Sequence, residues 1–157
     1  MKSLTLLRHA KAESDSPDGS DIARPLSERG RADAARMGEQ MRRLGVDFDL
    51  VLASPAQRVV DTLERVGGLS ARFDERIYNA STDELLGIVR ETGVQVERLM
   101  LVGHNPGFER LASRLSGSAI DFPTGSLVEI ELPISHWEDA GEGSGSLVRF
   151  LRPKDLA

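Results

Sequence analysis

Leu7-Arg8-His9-Ala10-Lys11 and Gly103-His104-Asn105-Pro106-Gly107 are the two strings on which the fold turns. Each follows an apolar, strand-like run, Ser3 to Leu7 and Arg98 to Val102. Each also puts a histidine where that run gives way to a polar loop or a helix start. Ala53-Ser54-Pro55-Ala56-Gln57-Arg58 repeats the pattern after Asp49 to Ala53, this time with an arginine. Continuous apolar runs of this kind suit a parallel sheet buried on both faces. Loops leaving the carboxyl ends of such strands converge on one edge of the sheet. His9, Arg8, Arg58 and His104, far apart in the chain, are therefore expected around one pocket.

Outward from these strings, Lys11 to Pro25 reads as a polar loop rich in Ser, Asp, Pro and Gly. A helix is expected after Ser27, with Ala34, Met37, Met41 and Leu44 on its inner face and Gly45 as its stop. Ser54 as cap, Pro55 at the first helical position and Gln57 completing a capping box open a second helix. Val60, Leu63 and Val66 would line it, and Gly67-Gly68 would end it. A short strand is expected near Ala71 to Phe73, then a helix opened by Ser81 and Glu84 and running to about Thr92. The last helix runs from Pro106 to about Leu115, with Phe108, Leu111, Ala112 and Leu115 inward. Leu127 to Leu132 and Leu147 to Leu151 read as a terminal hairpin joined by an acidic Gly/Ser loop, Glu138 to Ser146. The alternation predicts a three-layer α/β/α sandwich with a mainly parallel central sheet, in a single domain over residues 1–157.

Composition narrows the chemistry. A net charge of −5 argues against general nucleic-acid binding, which needs a basic face. Basic residues are mostly arginine, 17 against 3 lysines, a bias that genome composition explains without a functional role. There is no cysteine, which excludes disulfides, thiolate metal sites and a cysteine-nucleophile phosphatase. Met1 to Leu7 lacks the long apolar region of a signal peptide and no stretch approaches a membrane span, so a cytoplasmic protein is expected, with no membrane partner.

The boundary residues are suited to a phosphoryl group. A neutral His9 can attack phosphorus, provided an acceptor such as a backbone carbonyl holds the proton of its other nitrogen. Arg8 and Arg58 can grip the non-bridging oxygens in bidentate fashion, and His104 can donate a further hydrogen bond. The amides opening the helix at Pro106 add positive dipole. Taken singly, each element has a plainer use. Ser54 to Gln57 is a good cap, and in Gly103 to Gly107 Asn105 could cap, Pro106 start the helix and the glycines turn the chain. The joint pattern, with each residue at a strand end, carries the reading. Two arginines beside the histidines would repel a divalent cation, so neither a metal nor another cofactor is expected. His136, beside Trp137, is assigned no role.

These residues resemble the histidine phosphatase superfamily, of phosphoglycerate mutase-like fold, and within it the small SixA-type phosphohistidine phosphatases. Arg8-His9-Ala10 matches the family's opening Arg-His-Gly, Ser54 to Arg58 its second arginine segment, and Gly103-His104-Asn105 its second histidine turn. Arg24-Pro25-Leu26-Ser27-Glu28-Arg29-Gly30 looks like the segment before the first helix in the SixA branch. The resemblance implies that His9 is phosphorylated transiently and that Arg8, Arg58 and His104 hold the phosphate. It also implies a phosphorylated protein as substrate. A small-metabolite phosphomonoesterase or mutase is the alternative, and a non-catalytic phosphate-binding module is the third reading.

There are two departures. Ala10 replaces glycine, and the inserted segment that often carries the proton donor of larger relatives is missing. Asp74 and Glu75 are the candidates left for that acid. Roles for Lys11, Asp15 and Arg24 in the first loop stay open. A weak or absent acid suits a P–N substrate, because imidazole is protonated near pH 6.5 and can depart neutral, whereas an alkoxide needs a donor.

Overall fold

In the computed structural model, which describes residues 1–156, β1 (Lys2–Arg8) lies inside the sheet between β4 (Arg98–Gly103) and β5 (Leu127–Leu132). β4 in turn pairs with β2 (Leu50–Ala53), and β2 with the edge strand β3 (Ala71–Phe73). These four strands are parallel. β5 runs antiparallel to β1 and pairs antiparallel with β6 (Ser146–Leu151) at the other edge, giving the order β3-β2-β4-β1-β5-β6. The sheet is thus mainly parallel, as the apolar runs predict.

Alternation along the strands divides the core in two. Leu99 and Leu101 of β4 join Leu4 and Leu6 of β1 on one face, under α3 (Thr82–Arg90) and α4 (Gly107–Ser116). Met100 and Val102 face the other way, with Leu7 and Val51, against α1 (Glu28–Leu44) and α2 (Gln57–Val66). Helix layers on both sides complete the three-layer α/β/α sandwich. No helix among the described residues is long and apolar enough to cross a membrane.

Several local signals hold. Ser27 caps α1 by accepting from the Gly30 amide, and Gly45 ends the helix at φ 67°. Ser81 and Glu84 form the expected capping box on α3. Others do not. Leu44 is exposed, and the buried face is Gly30, Asp33, Ala34, Met37, Gly38 and Met41. α2 begins at Gln57 without a side-chain cap, so Ser54 and Pro55 lie before it. Its inner residues are Val59, Thr62, Leu63 and Val66, with Val60 only half-buried.

The terminal pair is a hairpin in pairing only. Its connection is no plain surface loop, for Trp137 is buried there and donates its Nε1–H to the Val96 carbonyl at 2.8 Å. His136 beside it is exposed.

Candidate active site

Strand register brings the candidates together. Leu7 and Ala53 both lie opposite Val102, and Arg8 opposite Gly103, so β1, β2 and β4 finish level. The next residues, His9, Ser54 and His104, leave the sheet side by side. The His9 amide donates to the Gly103 carbonyl and the Ser54 amide to the Val102 carbonyl, both at 3.0 Å. The two imidazoles stand 5.3 Å apart between centroids, tilted by 55°. Arg58, one residue into α2, is almost fully buried, and its charge reaches both rings. Arg8 is half-buried, its guanidinium donating to the Phe122 carbonyl at 3.1 Å.

His9 has its orientation set by its own neighbour. Its Nδ1–H donates to the Ala10 carbonyl at 2.7 Å, which leaves Nε2 with a free lone pair. Ala10 is itself pinned, its amide donating to Thr62 Oγ1 at 3.0 Å. Asn79 is the one non-glycine residue at positive φ among those described, so Ala10 carries no strain where the family has glycine. Burial pushes the His9 pKa down to about 3, helped by the charges of His104, Arg58 and Arg8 and opposed by the Ala10 hydrogen bond. The ring is neutral at neutral pH, as a nucleophile requires.

His104 bonds through Nε2 to Ser54 Oγ at 2.7 Å. That hydroxyl also accepts from the Ala56 amide at 3.2 Å. With Ser54 donating to Nε2, the proton of the neutral ring sits on Nδ1. Burial first, then Arg58, lowers the His104 pKa to about 4, with Asp21 pulling the other way. Gly103 and Gly107 lie at negative φ and do not turn the chain. They are needed for close approach, since a Cβ on Gly103 would meet the Phe108 ring at 2.7 Å and one on Gly107 the Ala80 carbonyl oxygen at 2.6 Å. α4 starts at Gly107, with Pro106 just before it, and Asn105 Oδ1 accepts from the Glu109 amide.

Among the described residues, four buried side-chain polar atoms have no hydrogen-bond partner in the protein: Arg8 Nε, Arg58 Nε, His104 Nδ1 and Ser126 Oγ. All four residues sit at this end of the sheet, Ser126 beside Arg8, whose amide donates to its carbonyl. An unmet buried donor costs about 1–3 kcal/mol, so their concentration in one place fits an anion with several acceptor oxygens. No three His, Asp or Glu side chains cluster as metal ligands would among the described residues.

The remaining candidates separate. Asp74 caps a short 3-10 turn (Glu75–Ile77) and is held by Arg76, whose hydrogen bonds lower its pKa. That argues against a proton-donor role for Asp74, and Glu75 is exposed. Lys11 and Asp15 are exposed too, while Arg24 pairs with Asp21 at 3.0 Å. The structure adds residues that sequence reasoning missed. Ser54 orients His104, and Thr62 holds the Ala10 peptide. Asp21 accepts from Arg58 at 3.1 Å and from the Tyr78 hydroxyl at 2.6 Å, and the Tyr78 ring stands edge-on to His104. Ser54 carried a signal that was read as a helix cap; Asp21 and Tyr78 carried none.

Comparison with known proteins shows the family and the fold. A profile of the histidine phosphatase superfamily (branch 1) matches residues 4–101. The Mycobacterium tuberculosis protein Rv1276c is 34% identical over 161 residues, covering 94% of this chain and 100% of its own. The structure designated "putative phosphohistidine phosphatase SixA" from Agrobacterium tumefaciens superposes with a TM-score of 0.81 at 27% identity, covering 97% of this chain and 99% of that one. One of the same designation from Nakamurella multipartitia gives 0.85 at 24%, with 97% and 96% covered, and speaks for the fold.

Proposed function

The chain belongs to branch 1 of the histidine phosphatase superfamily and is a phosphatase, and from that premise we propose that it hydrolyses phosphohistidine on a protein through a phospho-His9 intermediate. The observation that carries the reading is the set of unpartnered buried donors on Arg8, Arg58 and His104, gathered where His9 has its Nε2 lone pair free. In this mechanism the phosphoryl oxygens take those donors. The His9 Nε2 lone pair forms a bond to phosphorus while the P–N bond of the substrate breaks, its electron pair returning to the leaving imidazole. Water then attacks phospho-His9, inorganic phosphate leaves, and the Nε2 lone pair is restored. The positive charge of the two arginines stabilises the transition state, and the Ala10 carbonyl stabilises the cationic ring that His9 becomes.

The choice of a P–N substrate is supported by two carboxylates at this end of the sheet, Asp21 beside Arg58 and Asp74 just after β3. Asp21 is held at about 2 by its hydrogen bonds and Asp74 is lowered by Arg76, so both are poor acids for an alkoxide leaving group. The partner in this reading is a phosphorylated protein met in the cytoplasm.

Incubation with a phosphohistidine peptide is expected to leave acid-labile phosphate on the enzyme. His9→Ala should abolish that label and lower turnover by on the order of 10⁴-fold or more. Full activity in His9→Ala would end the proposal, and faster turnover of sugar phosphates than of the peptide would move it to small metabolites.

A further inference from the structure

A negative charge beside a phosphate pocket is a liability that calls for a purpose. Asp21 is such a charge. Its carboxylate accepts from Arg58 at 3.1 Å, from the Tyr78 hydroxyl at 2.6 Å and from Arg24 at 3.0 Å, and its backbone carbonyl takes a second guanidinium N–H of Arg58 at 2.9 Å. The loop is anchored on either side, with the Gln57 amide donating to the Ile22 carbonyl at 2.9 Å and Arg24 to the Glu13 carbonyl at 2.8 Å. The Asp21 side chain is 51% exposed, whereas that of Arg58 is 5% exposed. The carboxylate therefore sits on the solvent side of the arginine, at the mouth of the pocket. Through Tyr78, whose ring stands edge-on to His104 at 5.6 Å between centroids, it lies on the His104 side of the site.

Resting on the phosphohistidine reading above, we propose that Asp21 recognises the leaving group, its carboxylate accepting a hydrogen bond from the second ring nitrogen of phosphohistidine and keeping that nitrogen protonated until the P–N bond breaks. The proton decides the leaving group. With it in place, the His9 Nε2 pair bonds to phosphorus, the old P–N pair returns to the ring, and neutral imidazole departs. Without it the same step expels an imidazolate, a far stronger base. An opposite charge at hydrogen-bond distance raises the pKa of the ring and shortens the contact. Asp21 neither gives nor takes a proton, in keeping with a carboxyl held at about 2 by Tyr78, Arg24 and Arg58. The charged and titratable groups facing it are Arg58, Arg24, Tyr78 and, through Tyr78, His104. The same carboxylate gives an alkyl phosphate nothing and repels substrates that carry acids of their own.

The test compares kcat/KM on a phosphohistidine peptide with kcat/KM on p-nitrophenyl phosphate, whose leaving group has no N–H. In Asp21→Asn the ratio of the two should fall at least about tenfold, one unit of lost pKa elevation corresponding to that factor. Asp21→Ser, which removes the charge without presenting an amide to Arg58, should do the same, and Asp21→Glu should recover part of the ratio. The alkaline limb of the peptide profile should move down by about one pH unit in Asp21→Asn, following the ring nitrogen. Equal losses on both substrates in the Asn and Ser variants, with the limb unmoved, would make Asp21 a strut for Arg58 and overturn the inference alone. A wild-type enzyme that turns over the aryl phosphate and never the peptide would overturn the function it rests on, and this inference with it.

Discussion

His9 and His104 leave neighbouring strands at the same level, yet the structure holds their protons by different means. His9 is bonded through Nδ1 to a backbone carbonyl, which can only accept, so the tautomer is imposed and Nε2 is always the bare nitrogen. His104 is bonded through Nε2 to the Ser54 hydroxyl, which can donate or accept. The first arrangement suits a nucleophile that must present a lone pair. The second, with Ser54 donating to Nε2, suits a hydrogen-bond donor that presents Nδ1–H to the phosphoryl group. In the proposed reaction two residues of one type, 5.3 Å apart, would thus take separate duties, set by the atoms behind them.

The comparison can be broken most sharply by removing the second ring. His104→Ala should slow turnover by about 10²–10³-fold, the usual loss for one oxyanion donor. Unlike His9→Ala, it should still accumulate acid-labile phosphate on the enzyme. Absence of phosphoenzyme in rapid-quench samples of His104→Ala would show that the two rings share the nucleophilic duty.

A smaller effect is expected behind His104. Ser54→Ala leaves Nε2 and the Ala56 amide without their partner in a fully buried position, which should lower stability by about 1–3 kcal/mol in denaturant unfolding. Turnover should drop about tenfold through misplacement of the ring, with peptide KM little changed. An unaltered kcat would detach Ser54 from the chemistry.

The mildest probe is pH. Both imidazoles have folded-state pKa values below the ordinary 6.5, His9 at about 3 and His104 at about 4. In the unfolded chain they bind protons from about pH 6.5 downward, while in the folded protein they resist until those lower values. Their contribution to stability is therefore complete above pH 6.5 and declines on acidification toward pH 3–4. Nitrogen NMR of the rings at pH 5 should find both neutral, with the His9 proton on Nδ1. A His9 resonance titrating near 6.5 would contradict the buried, cation-flanked setting.

Legibility along the chain followed the range of the forces involved. Ser27, Gly45, Ser81 and Glu84 were readable because a cap bonds to amides and carbonyls a few residues away. Val60 is expected inward where the structure buries Val59, because adjacent valines among the four apolar positions of one short helix leave its rotation about the axis loosely defined. Ser54 shows where local rules fail: a serine before Pro55 reads as a cap, but the hydroxyl is taken by a histidine from another strand. Asp21 and Tyr78 were illegible, since an Asp in a polar loop and a lone Tyr declare nothing until the fold joins them at 2.6 Å.

By itself the sequence determined the α/β class, the strand ends and the identity of the four residues that meet there, because apolar periodicity and boundary residues act within a few positions of themselves. Tertiary structure alone decided which nitrogen of each imidazole is free, which carboxylate faces Arg58 and which serine serves a ring in place of a helix. Those outcomes depend on hydrogen bonds between segments brought together by strand register, and a bond of that kind has no trace in local composition.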